Sequence, residues 1–159
     1  MAVEIERKFL VRDGSWRTAT DAGIAIRQGY LSTDPGRVVR VRLAGDRGAL
    51  TVKGPTNAAT RLEFEYAIPA ADAGRMLDDL CVPPLLEKTR YRIRCGRHVW
   101  EIDEFFGDNA GLVVAEIELT DAGEAFERPG WVGDEVTGDP RYFNSNLVAA
   151  PFSTWRPRS

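Results

Sequence analysis

The sequence predicts an α+β, mainly β protein: a closed eight-stranded antiparallel β-barrel with a charged interior and a few helices packed outside. Three observations carry this. Stretches in which apolar and charged residues alternate with period two recur about eight times. Most are joined by short connections rich in Gly, Pro, Asp and Asn, as in an antiparallel meander. The few helical segments are amphipathic and need an apolar surface to cover, which turns the apolar sheet face outward and leaves the charged face to line the interior.

The first strand is Val3-Glu4-Ile5-Glu6-Arg7-Lys8-Phe9, with Val3, Ile5 and Phe9 on one face and Glu4, Glu6 and Lys8 on the other. Ile24 to Leu31 follows, less clearly patterned through Gln28-Gly29-Tyr30. Alternation is regular again in Val39–Leu43, Leu50–Lys53 and Leu62–Tyr66, with turns at Asp34-Pro35-Gly36, Gly45-Asp46, Gly54-Pro55 and Asn57. Lys88–Arg94, Trp100–Asp103 and Val114–Leu119 complete the set, the last after Gly107-Asp108-Asn109. Pro69 to Leu80 has Ala73, Met76, Leu77 and Leu80 at helical spacing, with proline where its missing N–H costs nothing. Asp121 followed by Glu124 resembles a capping box opening a short helix through Phe126. Asp139-Pro140 starts a third helix past Asn144 and Leu147, stopped by Pro151; Trp131 to Leu147 reads as a closing helix or lid at one barrel end.

A chain of 159 residues that is 43% hydrophobic and 28% charged, with no repeat, linker or low-complexity tract, reads as one domain spanning residues 1–159. Lys plus Arg is 21 against 24 for Asp plus Glu, so no basic footprint for nucleic acid exists. Apolar stretches are too short for a membrane span and the N-terminus is charged and strand-like, which implies a cytoplasmic protein. Two cysteines, Cys81 and Cys95, with one histidine, His98, cannot close a zinc site, so any metal is held by oxygen. Cys95 and His98 flank a Gly96-Arg97 hairpin turn and read as structural; Trp16, Trp131 and Trp155 read as packing residues.

By strand parity the polar face carries the acids Glu4, Glu6, Glu63, Glu65, Glu101, Asp103, Glu116 and Glu118, and the bases Lys8, Arg40, Arg42, Lys53, Lys88, Arg90, Arg92 and Arg94. A half-exposed sheet with a solvated charged face is the ordinary alternative. Acids, however, come as pairs two residues apart on four strands, roughly 7 Å apart by strand geometry, which suits hard cations. Bases pair likewise, and guanidinium forks suit phosphate oxygens. So many buried ions are tolerable only if they neutralise one another or a ligand, and a metal-bound polyphosphate satisfies both sets.

At these residues the sequence resembles the CYTH superfamily, the triphosphate tunnel metalloenzymes, through the N-terminal E-x-E-x-K strand Glu4-Ile5-Glu6-Arg7-Lys8. The similarity to short bacterial inorganic triphosphatases extends through Arg27-Gln28-Gly29-Tyr30-Leu31, Arg40-Val41-Arg42, Thr51-Val52-Lys53, Glu63, Glu65, Glu87-Lys88-Thr89-Arg90-Tyr91, Trp100-Glu101-Ile102-Asp103 and Glu116-Ile117-Glu118, to Glu135-Val136-Thr137 and Arg141-Tyr142-Phe143-Asn144. The resemblance implies an eight-stranded antiparallel tunnel. It implies Glu4, Glu6, Glu116 and Glu118 as principal metal ligands with Asp103 a further one, for Mg²⁺ or Mn²⁺, two ions per site. Lys8, Arg40, Arg42, Lys53, Lys88 and Arg90 are the implied triphosphate clamp, with Lys88 also among the catalytic groups. Glu63 and Glu65 match family positions, either touching metal or orienting the bases; Arg92, Arg94 and Glu101 either face inward or form salt bridges near the mouth.

The implied reaction is hydrolysis of the terminal phosphate of inorganic tripolyphosphate, with lower activity on nucleoside triphosphates. Glu6 or Tyr30 is the general base, and a tyrosine would need neighbouring cations to depress its pKa. The alternatives are an adenylate cyclase or thiamine triphosphatase of the same family, or a polyphosphate- or nucleotide-binding module without turnover. A homodimer through exposed apolar strand surface is a further expectation.

Overall fold

Alternating sequence becomes strand wherever one of its faces finds a cover. The computed structural model describes residues 3–155, so residues 1, 2 and 156–159 of the expected domain lie outside the described residues. Nine strands run in chain order with one α-helix between the fifth and sixth: β1 (Val3–Val11), β2 (Ile24–Ser32), β3 (Val38–Ala44), β4 (Arg47–Lys53), β5 (Thr60–Ile68), α1 (Ala70–Asp79), β6 (Leu86–Cys95), β7 (His98–Phe105), β8 (Val113–Glu118) and β9 (Val132–Glu135). The sheet order is β5-β4-β3-β2-β6-β7-β8-β1-β9, with a further β5–β1 pairing that closes eight of the strands into an antiparallel barrel.

Closure falls to β1. Glu6–Leu10 pair with Glu118–Val114 of β8, while Val3–Ile5 pair with Leu62–Thr60 of β5. Beyond β5 the same edge of β1 takes β9, with Phe9 opposite Glu135 and Val11 opposite Val132. Backbone bonds from Glu6 N to Ala59 O and from Val136 N to Lys8 O bridge the stretch between. Closing the sheet removes strand edges that would otherwise recruit other chains. The β3–β4 and β6–β7 hairpins turn on two residues, and their first turn residues Gly45 and Gly96 have φ of 61° and 62°, which a side chain would resist.

The apolar core lies outside the barrel wall. Phe9, Ile93, Trp100, Ile102, Ala115 and Ile117 pack under Trp16 and Trp131, with Trp100 edge-on to Phe9 and Trp131 at 5.5 Å between ring centroids in both cases. On the far side α1 seats Ala73 and Leu77 against Val41, with Leu43, Leu50 and Ile68 around them. The outer row Val52, Leu62, Phe64 and Tyr66 is exposed. No described helix is long and apolar enough to cross a membrane.

Two expectations need correction. The helix expected at Asp121–Phe126 is a turn: Asp121 accepts from the Gly123 and Glu124 amides, and the Glu124 carboxylate folds back on the Thr120 N–H at 2.8 Å. The helix expected after Asp139 is two 3-10 turns, 140–142 and 144–147, because Phe143 between them is extended at φ −69°, ψ 126°. The barrel has the eight strands expected, and among the described residues a ninth is added outside it: Val132–Glu135 has no alternation of its own and becomes a strand by pairing with β1.

Because α1 is held by its buried apolar stripe, Leu77→Ala should cost about 2–4 kcal/mol. Urea denaturation should show a lower midpoint at unchanged slope, with ligand binding by the folded variant intact.

Candidate active site

Strand parity aims the charged residues at one another across the barrel lumen. One internal cavity is lined by Lys8 (β1), Arg40 and Arg42 (β3), Lys53 (β4), Arg61 (β5), Lys88 and Arg90 (β6), together with Tyr30, Val38, Glu116, Phe143, Asn144 and Ser145. The six expected clamp residues are therefore brought together, and Arg61 joins them.

Buried countercharges fix several of these bases. Asp103 on β7 is 2% exposed; it takes Lys88 Nζ at 2.7 Å and both Arg90 Nε and Nη2, at 2.7 and 2.9 Å. Burial alone would raise its pKa, but Arg90 and Lys88 hold the carboxyl well below the usual range. Burial pushes Lys88 the other way, down to about 7, with Arg90 and Arg42 adding to the effect against Asp103. Lys8 donates to the Tyr142 carbonyl at 2.9 Å and lies 3.4 Å from Glu116. Despite burial, Lys8 leads the groups that lower Glu116, to about 2. Lys53 contacts Glu4 at 3.3 Å and Glu63 at 3.6 Å. Arg40 donates from Nη2 to Thr51 Oγ1 at 3.1 Å, while its buried Nε meets no protein acceptor.

The carboxylates follow the wall formed by β1 and β8, where Glu6 opposes Glu118 and Lys8 opposes Glu116. Glu6 is raised to about 8, by burial first and then by Glu116 and Glu4. Glu118 is also raised, by burial and then by Glu4 and Glu101. Negative charge is thus crowded along this wall and incompletely matched by the lysines. Among the described residues no three Asp, Glu, His or Cys side chains form a ready-made metal cage, since Glu4 is engaged by Lys53 and Glu116 by Lys8. The donor chemistry nonetheless fits a hard divalent cation: Glu4, Glu6, Glu116 and Glu118 offer only carboxylate oxygens, on two hydrogen-bonded strands.

Asp103, expected as a metal ligand, has its oxygens committed to Lys88 and Arg90. Glu101 bridges Arg90 at 3.5 Å and Arg92 at 3.3 Å, and Arg92 and Arg94 are exposed, so this group stands at the mouth. Glu65 is exposed as well. Tyr30 is 3% exposed and its pKa is raised, because burial outweighs the neighbouring Arg40 and Arg42. Cys95 and His98 face each other across the β6–β7 hairpin, but their side chains turn elsewhere: Cys95 meets Glu127 and His98 meets Glu124.

Three contributors lie outside the set that the sequence predicts. Arg61 shares parity with Glu63 and Glu65 and lies one residue before the alternating stretch Leu62–Tyr66. Gln28 shares parity with Tyr30. Asn144 accepts from Lys88 at 2.8 Å and from Gln28 at 3.0 Å, but it lies in a segment without periodicity.

The CYTH domain family profile matches residues 2–148. The chain belongs to the CYTH domain family. This CYTH domain is 47% identical over 156 residues to the inorganic triphosphatase of Acetivibrio thermocellus, covering 98% of this chain and 99% of that protein. It is 36% identical over 153 residues to the inorganic triphosphatase of Nitrosomonas europaea, covering 91% and 96%. The solved structure of the inorganic triphosphatase NE1496 superposes with a TM-score of 0.62 at 34% identity, over 99% of both chains.

The raised Glu6 fixes the sign of a pH effect in this CYTH domain when no cation is present. A carboxyl whose folded pKa is about 8, against an ordinary 4.5, keeps a proton that the unfolded chain has lost, so stability falls as pH rises between those values. With chelator present, Glu6→Gln should match the wild-type melting temperature at the acid end of that window. At its alkaline end the variant should be more stable by about 1–2 kcal/mol, roughly 2–8 °C.

Proposed function

We propose that this CYTH domain is a metal-dependent inorganic triphosphatase that hydrolyses tripolyphosphate to orthophosphate and pyrophosphate. The observation that carries the reading is the cavity's charge: seven cationic side chains line it against one lining carboxylate, Glu116. That surplus is costly to bury unless a polyanion neutralises it. The named activity of two relatives aligned over nearly the whole chain supports the same reading.

In this mechanism water attacks the terminal phosphorus, the bond to the bridging oxygen breaks, and pyrophosphate leaves with the electron pair. Glu4, Glu6, Glu116 and Glu118 would hold Mg²⁺ or Mn²⁺, two ions per site, which supply charge neutralisation at the phosphoryl oxygens. Lys8, Arg40, Arg42, Lys53, Arg61 and Arg90 bind and orient the chain of phosphates in line for displacement. The orphaned Arg40 Nε is a donor awaiting such an oxygen. We assign Asp103 to holding Lys88 and Arg90 in place. Lys88, with a pKa near 7, can exchange a proton at neutral pH. Tyr30, raised by burial, is suited to donating a hydrogen bond to a phosphate oxygen and poorly suited to acting as a base.

The test is phosphate release from tripolyphosphate, ATP and thiamine triphosphate in parallel, each with Mg²⁺, Mn²⁺ or chelator. Release chiefly from tripolyphosphate, abolished by chelator, is the expected outcome. Pyrophosphate and cyclic nucleotide from ATP would instead show a cyclase, and tight binding without release a binding module. Glu116→Gln should lower kcat by about 100-fold or more, and Arg40→Ala should raise KM by about tenfold. Two copies of the chain would meet on the exposed row Leu62, Phe64 and Tyr66; sedimentation of Tyr66→Lys as monomer beside a dimeric wild type checks that assignment.

A further inference from the structure

The geometry points to Gln28 as the positioning residue that aims the Tyr30 hydroxyl proton into the cavity, a role that rests on the triphosphatase reading above. Gln28 is fully buried on β2, and each of its hydrogen-bonding valences is used. Its Oε1 accepts two bonds from one guanidinium, Arg42 Nε at 3.1 Å and Arg42 Nη2 at 2.9 Å. Its Nε2 donates to Tyr30 Oη at 3.1 Å and to Asn144 Oδ1 at 3.0 Å.

The amide cannot be turned over. A guanidinium has only donors, so the atom facing Arg42 must be the amide oxygen, and the NH₂ must face Tyr30 and Asn144. Asn144 is fixed by the same logic, because its Oδ1 receives both Gln28 and Lys88 Nζ. Tyr30 Oη is therefore an acceptor from Gln28. It cannot return its proton to that side chain, since both lone pairs of Gln28 Oε1 are taken by Arg42.

Among the described residues, Tyr30 Oη donates to no protein group. The charged groups that act on it, Arg40, Arg42 and Lys8, accept no hydrogen bond. The acceptor required is an anionic oxygen entering the cavity, which is what a triphosphate supplies. Through Asn144 the same amide ties this orientation to Lys88 and to the 144–147 turn that walls the cavity. A neutral side chain thus converts the fixed positions of two cations, Arg42 and Lys88, into a defined direction for one hydroxyl proton. An amide that merely satisfied a buried space would show no energetic link to Tyr30.

A double-mutant cycle on the full chain separates these cases, using kcat and KM for tripolyphosphate with Mg²⁺ and the melting temperature of each protein. Gln28→Met removes the donor to Tyr30, and Tyr30→Phe removes the hydroxyl that Gln28 orients. Gln28→Met alone should lower kcat by about tenfold or more, whereas in the Tyr30→Phe background the same change should cost less than about threefold. Gln28→Met also releases Arg42, so KM should rise similarly in both backgrounds; kcat decides. Equal kcat losses in the two backgrounds would overturn the inference while leaving the activity standing. Wild type that releases no phosphate from tripolyphosphate overturns the reading of activity and this inference with it. Should Gln28→Met fail to fold, Gln28→Glu keeps the Arg42 acceptor and removes both donors. The Tyr30 proton then turns to the new carboxylate, and the same non-additivity in kcat is expected, with additivity again overturning the role.

Discussion

Burial of like charges inside a closed sheet is the constraint to which the rest of this structure answers. Seven cations converge on one cavity, and water cannot screen them there as it would on a surface. The wall replaces water with fixed counterions. Asp103 bridges Lys88 and Arg90, Glu116 sits by Lys8, and Glu4 and Glu63 by Lys53. The charge these carboxylates leave unbalanced suits a polyanion, and the burial and carboxylate crowding that raise Glu6 suit a cation. In the proposed mechanism substrate and metal would draw on one electrostatic imbalance.

This arrangement inverts the usual layering of a small domain. With charge inside, the apolar residues face out and need covers supplied by the rest of the chain: Trp16 and Trp131 over β1, β6, β7 and β8, and α1 over β3 and β4. The barrel is held in shape from outside, and its lumen can be shaped for chemistry without emptying the core. The neutral amides Gln28 and Asn144 add direction to charge: point-like attractions from lysine and arginine bind many anions, whereas an oriented hydroxyl is demanding about where an oxygen stands.

The strands and their facing were legible because period-two alternation over Glu4-Glu6-Lys8, Arg40-Arg42, Lys88-Arg90 and Glu116-Glu118 is a local property, and a one-residue slip would move every charge to the apolar side. Arg61 is less legible because its strand begins at Thr60, two residues before the alternation does. The segments past residue 120 proved harder for a different reason. Asp121–Phe126 and 140–147 carry caps and prolines suited to helix starts, yet Glu124 folds back on Thr120 and meets His98 from 26 residues away, and Phe143 stays extended beside Tyr142, whose carbonyl takes Lys8.

The sequence by itself determined the barrel and its charged lumen, because side-chain parity along a strand needs no partner to be defined, and the family resemblance singled out six of the cations that line the cavity. Only the tertiary structure decided which acid meets which base. It gave Asp103 to Lys88 and Arg90, it recruited the aperiodic Val132–Glu135 as a ninth strand along β1, and it brought Asn144 against Gln28 across a separation of 116 residues. Those choices depend on distances across the closed barrel, which exist only once β1 has joined β5 to β8.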